Sequence, residues 1–99
     1  MASLYITEYT ATSTNSGQGV PVMQEPGTDQ SPVSISGSHA DSAAFGTNTR
    51  WVRIHTDAIC SVKFGSAPVA TANNKRMIAG QTEYFAVFAG DKVSVITNT

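Results

Sequence analysis

Charge is what this chain has least of. Lys, Arg, Asp and Glu make up 13% of its 99 residues, about half of the one quarter usual in soluble domains. The polar surface must then be built from neutral groups, which the 12 Thr and 11 Ser supply. Thr suits an exposed sheet face because its branched Cβ packs on a pleat. Little charge also means little repulsion between neighbouring chains, a composition that tolerates dense packing against other subunits. Small secreted β domains share this richness in Ser and Thr, so composition alone keeps that reading open. Cysteine is scarce as well. Cys60 stands alone, which excludes an internal disulfide and points to an inert core thiol. No run approaches the roughly 20 apolar residues that span a bilayer, and no N-terminal run resembles a signal peptide. A soluble, cytoplasmically made protein is expected. Basic residues are absent before Arg50: residues 1–49 hold four acids and no base, net −4, whereas residues 50–99 hold six bases and three acids, net +3. The two halves are therefore expected to lie against each other, within one subunit or across two. Six bases spread over fifty residues are too thin for a nucleic-acid footprint.

What is present is alternation, and it lasts longest over residues 50–65. Val52, Ile54, Ala58, Cys60, Val62 and Phe64 occupy even positions, while Arg53, His55, Asp57, Ser61 and Lys63 occupy odd ones. That period of two is the signature of half-buried strand, and it predicts a β-hairpin or one long bent strand with its even face in the core. Trp51 and Ile59 are the apolar exceptions on the outer face. The predicted break is Thr56-Asp57-Ala58, because Asp favours turns and is depleted in strands.

Strands are also predicted over residues 3–10, 31–36, 83–88 and 92–97, the third of these covered on both faces. Pro21 and Pro32 mark edges or strand starts, and residues 25–29 form a turn. Residues 11–19 and 66–76 are expected as mobile loops, and Ala43, Ala44 and Phe45 as a plug dipping into the core. Surface scaling for 10.4 kDa leaves about 5,400 Å² exposed of about 15,000 Å² unfolded, enough burial for one modest core. The expected fold is a single all-β domain over residues 1–99, a jelly-roll-like β-sandwich of seven to eight short strands joined by long loops.

Candidate chemistry is sparse. His55 and Asp57 share a strand face and would need His39 as a third metal ligand, but no recognised ligand spacing supports this, and solvated side chains are the better reading. His55 and Cys60 lie on opposite phases, which argues against a thiol nucleophile. No phosphate loop, paired-carboxylate motif or nucleophile elbow is present, so neither an enzyme nor a cofactor is expected. Binding has more support. Trp51 beside Arg53, and Tyr5 and Tyr9 on the less aliphatic face of the first strand, have the composition of interface anchors. The same aromatics would also suit a sugar-stacking platform, and burial of the Trp within the sandwich is equally compatible with the pattern.

From residue 43 to 97 the chain carries a series of strand and turn signatures: Ala44-Phe45, Thr49 to Ile54, Asp57 to Gly65, Arg76 to Phe85 and Gly90 to Ile96. In these it resembles the small virion proteins of tailed bacteriophages, and most of all their head decoration, or cement, proteins. The resemblance implies a β-sandwich that oligomerises, as dimer or trimer, on the capsid exterior after assembly in the bacterial cytoplasm. It would hold neighbouring major capsid subunits together without cofactor, nucleic acid or membrane. Tyr5, Tyr9, Trp51 and Arg53 are then expected in the oligomer or capsid interface, with Lys75 and Arg76 against an acidic patch of the partner. A tail or adaptor component, and a carbohydrate-binding module, are the alternatives.

Overall fold

A computed structural model describes residues 2–15, 18–23 and 26–98. The chain is all-β, built of two antiparallel sheets facing each other. Its strands in order are β1 (Ser3–Tyr9), β2 (Thr12–Asn15), β3 (Gln18–Met23), β4 (Thr28–Asp29), β5 (Val33–Ser34) and β6 (Ala40–Asp41), followed by β7 (Trp51–Thr56), β8 (Cys60–Gly65), β9 (Lys75–Met77), β10 (Thr82–Ala86) and β11 (Lys92–Thr97). The front sheet runs β10-β7-β1-β4, with β5 paired to the other end of β1, and the back sheet runs β6-β11-β8-β9. Eleven strands thus form among the described residues, against seven or eight expected. The additions are the β2–β3 hairpin and the two-residue pieces β4 and β6, while β5 falls within the expected strand at 31–36.

The period of two becomes a core because the inward positions of both sheets are aliphatic. Across the front sheet Leu4 lies opposite Thr56, Ile6 opposite Ile54 and Phe85 opposite Val52. Across the back sheet Val62 lies opposite Val95, Phe64 opposite Val93 and Cys60 opposite Met77. Leu4, Ile6, Val52, Ile54, Cys60, Val62, Met77, Val93 and Val95 are all buried in one cluster with Phe45. The rings of Phe45, Phe64 and Phe85 line up along it, with centroids 6.4 and 4.9 Å apart.

The central run is neither a hairpin nor one bent strand. β7 belongs to the front sheet and β8 to the back, and residues 57–59 arch between them. The even phase faces the core on both sides of the arch. Thr56, fully buried, holds the crossing: its hydroxyl donates to Ala58 O at 2.7 Å and accepts from Ala58 N at 3.2 Å and from Cys60 Sγ at 3.4 Å. Four other links, β5 to β6, β6 to β7, β9 to β10 and β10 to β11, also change sheet.

Several loop expectations are corrected. Residues 11–19 do not form a featureless loop; β2 and β3 pair there as a two-stranded ladder that joins neither sheet. Both of its strands are edges, which accommodates Pro21. Residues 16–17 and 24–25, including the Glu25 end of the expected turn, lie outside the described residues. Residues 66–74 are not a free excursion, since Pro68 and Ala70 are buried and Ala70 N donates to Ser94 Oγ at 3.0 Å. This segment covers the outer face of the back sheet, which explains why Ser61 and Ser94 are fully buried on the phase opposite the core. Of the expected plug only Phe45 enters, while Ala43 and Ala44 stay exposed and form no helical turn. β10 is not covered on both faces, for Tyr84 and Phe88 are exposed.

Ile54 is fully buried and Ile78 is 59% exposed. Ile54→Ala should therefore cost about 2–5 kcal/mol in urea denaturation, through lost transfer energy and a residual cavity. The chemically identical Ile78→Ala should stay within about 0.5 kcal/mol.

Candidate binding face

The outer face of the front sheet collects the odd positions of β1 and β7 and the even positions of β10, and register sets them in rows. Thr82, His55 and Tyr5 form one row, Tyr84, Arg53, Thr7 and Asp29 the next, and Ala86, Trp51 and Tyr9 the third. Aromatic and β-branched residues favour such pleated positions. Tyr5 and Tyr84 are 43% and 54% exposed, and Trp51, Arg53 and His55 are half-buried. The Tyr5 and His55 rings lie 6.3 Å apart at 44°, and His55 Nδ1 lies 2.8 Å from Thr82 Oγ1.

Thr7 and Asp29 are short beside Arg53, so the middle row dips. The result is an open cleft of about 360 Å³ lined by Tyr5, Thr7, Asp29, Gln30, Arg53 and His55. Thr7 Oγ1 donates to Asp29 Oδ1 at 2.7 Å. Among the described residues no carboxylate lies within ion-pair distance of the Arg53 guanidinium. An aromatic ring, a carboxylate and a guanidinium thus face one hollow, an arrangement suited to a ligand with apolar and hydrogen-bonding surfaces.

Of the residues singled out from the sequence, Tyr5, Trp51 and Arg53 share this face. Tyr9 shares the phase but is only 5% exposed. The Gly27 backbone crosses over it so closely that a Cβ there would lie 2.8 Å from Tyr9 Cε1 and 2.6 Å from Thr7 Cγ2. Glycine permits that approach, and Tyr9 lies beneath it. Lys75 and Arg76 lie elsewhere, in the back sheet, and being adjacent in a strand they point to opposite faces. Lys75 Nζ sits 5.5 Å from the Phe85 ring centroid, whereas Arg76 pairs in register with Ser61 on the outer side.

His39, His55 and Asp57 are not brought together. Among the described residues no group of three His, Cys, Asp or Glu side chains could hold a metal ion. His39 Nδ1 lies 3.3 Å from Asp41 Oδ1 and 3.4 Å from Ser94 Oγ. Acid and hydroxyl meet the same ring nitrogen, unlike a catalytic triad, in which the carboxylate holds one nitrogen and the other serves as base. Cys60 is fully buried. Burial pushes its thiol pKa up, against a smaller lowering by the Thr56 hydroxyl.

Glu8 is the residue that inspection for surface chemistry misses. It has the inward parity of Leu4 and Ile6, an unusual place for a carboxylate, and that parity was its available signal. It accepts from Gly46 N at 2.8 Å, Thr49 Oγ1 at 2.6 Å and Gln30 Nε2 at 2.7 Å. Gln30 Oε1 in turn accepts from Ala43 N at 3.1 Å. Glu8 thereby ties the rim of the cleft to the segment leading into β7. No protein-family model, curated protein or solved structure matches the chain.

Burial disfavours the Glu8 charge, but the three hydrogen bonds outweigh it and its pKa lies below the ordinary carboxylate value. With the folded pKa depressed, this stabilisation is present above the unfolded pKa and is lost as pH falls through the folded one. Urea titrations across that acidic window should show Glu8→Gln losing less stability than wild type. At neutral pH Glu8→Gln should cost about 1–3 kcal/mol, because an NH₂ replaces one carboxylate oxygen and leaves a donor without its acceptor.

Proposed function

We propose that this chain is a structural virion protein that binds the outer surface of a phage capsid and cements neighbouring major capsid subunits. The observation that carries the proposal is the uncovered outer face of the front sheet, where Tyr5, Trp51, Arg53 and Tyr84 stand together on a two-layer β scaffold. Aromatic residues and Arg are the usual anchors of protein interfaces. A sheet holds them in fixed register, so little conformational entropy is lost on docking. The strand and turn signatures over residues 43–97 that resemble those of decoration proteins are the reason for naming a capsid as the surface bound. Low surface charge suits a protein packed at high density on a lattice, where many modest contacts add through effective concentration.

A second reading rests on the cleft. Tyr5 beside Arg53 and Asp29 would also seat a sugar ring, its C–H face on the aromatic and its hydroxyls on the charged groups. A glycan array separates this from capsid binding.

Co-sedimentation with expanded, undecorated phage heads tests the main proposal. Trp51→Ala and Arg53→Ala, each folded by circular dichroism, should weaken binding about tenfold or more, the loss of at least about 1.4 kcal/mol. Arg76→Ala, on the back sheet, should bind as wild type. Unchanged affinity of both front-face variants would remove this face from the capsid contact.

A further inference from the structure

The front sheet ends at β10, and this edge differs from the others. β4, β5 and β6 have two residues each and β9 has three, short enough to offer little template for pairing. β10 has five, and the chain stays bonded beyond it: Val87 N donates to Arg50 O at 2.9 Å. At the other end Thr56 N donates to Gln81 O at 3.2 Å. These two bonds fix the alternation of the antiparallel ladder: odd residues bond toward β7, so Thr82, Tyr84 and Ala86 turn their N–H and C=O groups away, to the open edge.

Glu83 is the one charged side chain on that edge, and at its end the Phe88 carbonyl accepts from Asp91 N at 3.2 Å. Residues 82–88, Thr-Glu-Tyr-Phe-Ala-Val-Phe, contain neither Pro nor Lys, and the register with β7 runs without a bulge. Such an edge invites another strand. It is flanked by two of the most exposed large apolar side chains, Tyr84 at 54% and Phe88 at 79%, with Ala86 midway between them.

We infer that β10 is a homodimer interface: it pairs antiparallel with β10 of a second copy about a two-fold axis at Ala86. The spacing Tyr84-x-Ala86-x-Phe88 is self-complementary about that axis. Each Tyr84 falls opposite Phe88 of the second copy, an aromatic cross-strand pair made twice, and the small Ala86 side chains meet at the centre. Isologous pairing consumes both edges and closes on itself, so it yields a dimer and not a filament. The two front sheets become one, and their outer faces adjoin. The inference goes beyond the capsid reading and does not depend on it.

Sedimentation velocity and light scattering on the full chain, over a concentration series, test it directly. The expected mass is twice the 10.4 kDa of the chain. Phe88→Lys, at a position with little part in the monomer's packing, should halve that mass. Ala86→Pro should do the same, because the donor it removes points away from β7. Both should keep the wild-type circular dichroism spectrum. Ala86→Cys should give a disulfide-linked dimer on mild oxidation, the native Cys60 being buried. A wild type that stays monomeric, a mass of three or more copies, or variants that fold and remain dimeric would overturn the inference.

Discussion

The structure depends on one constraint: two sheets must bury a common apolar layer, and the chain has to pass from one to the other without exposing it. The arch at 57–59 meets that demand within three residues. Hydrophobic burial supplies the driving force, at roughly 25 cal/mol per Å² of apolar surface, but it has no direction. Direction comes from the Thr56 hydroxyl, which bonds across the arch to Ala58 and Cys60. Val52 and Ile54 therefore face Cys60 and Val62 across the core instead of lying beside them in one ladder.

Around that layer the polar groups are spent on closing the ends. Glu8 gathers Gly46, Thr49 and Gln30. Ser42 accepts from Val93 N, Ser94 accepts from Ala70 N, and the Asn98 amide donates to Ser61 and to Ala72 O. No buried side-chain nitrogen or oxygen among the described residues lacks a partner, as a stable interior of low dielectric requires. Short neutral side chains suffice for this, and the Ser and Thr of the composition act here as much as on the surface.

The consequence for binding is an asymmetry between the two outer faces. The back sheet is roofed by residues 66–74, so its Ser61 and Ser94 serve the fold. Among the described residues the front sheet has no such roof over β7 and β10, and Tyr5 and Tyr84 of its outward phase are exposed. A rigid face left open on one side only is how a small sandwich presents a surface to a partner. Tyr9 marks its limit, where Gly27 closes over the sheet.

Alternation by itself determined a good deal: the all-β class, the inward set from Leu4 to Val95, the break near Asp57, the buried thiol and the shared phase of Tyr5, Trp51 and Arg53. These properties are local, since a side chain's face in a strand depends only on the parity of its neighbours. Tertiary structure alone decided that residues 50–65 divide between two sheets, that 66–74 cover one of them, and that Gly27 buries Tyr9. It also decided that Glu8 meets residues as distant as Thr49. Each of these rests on pairing between segments far apart in the chain, and parity is silent on which strand lies beside which.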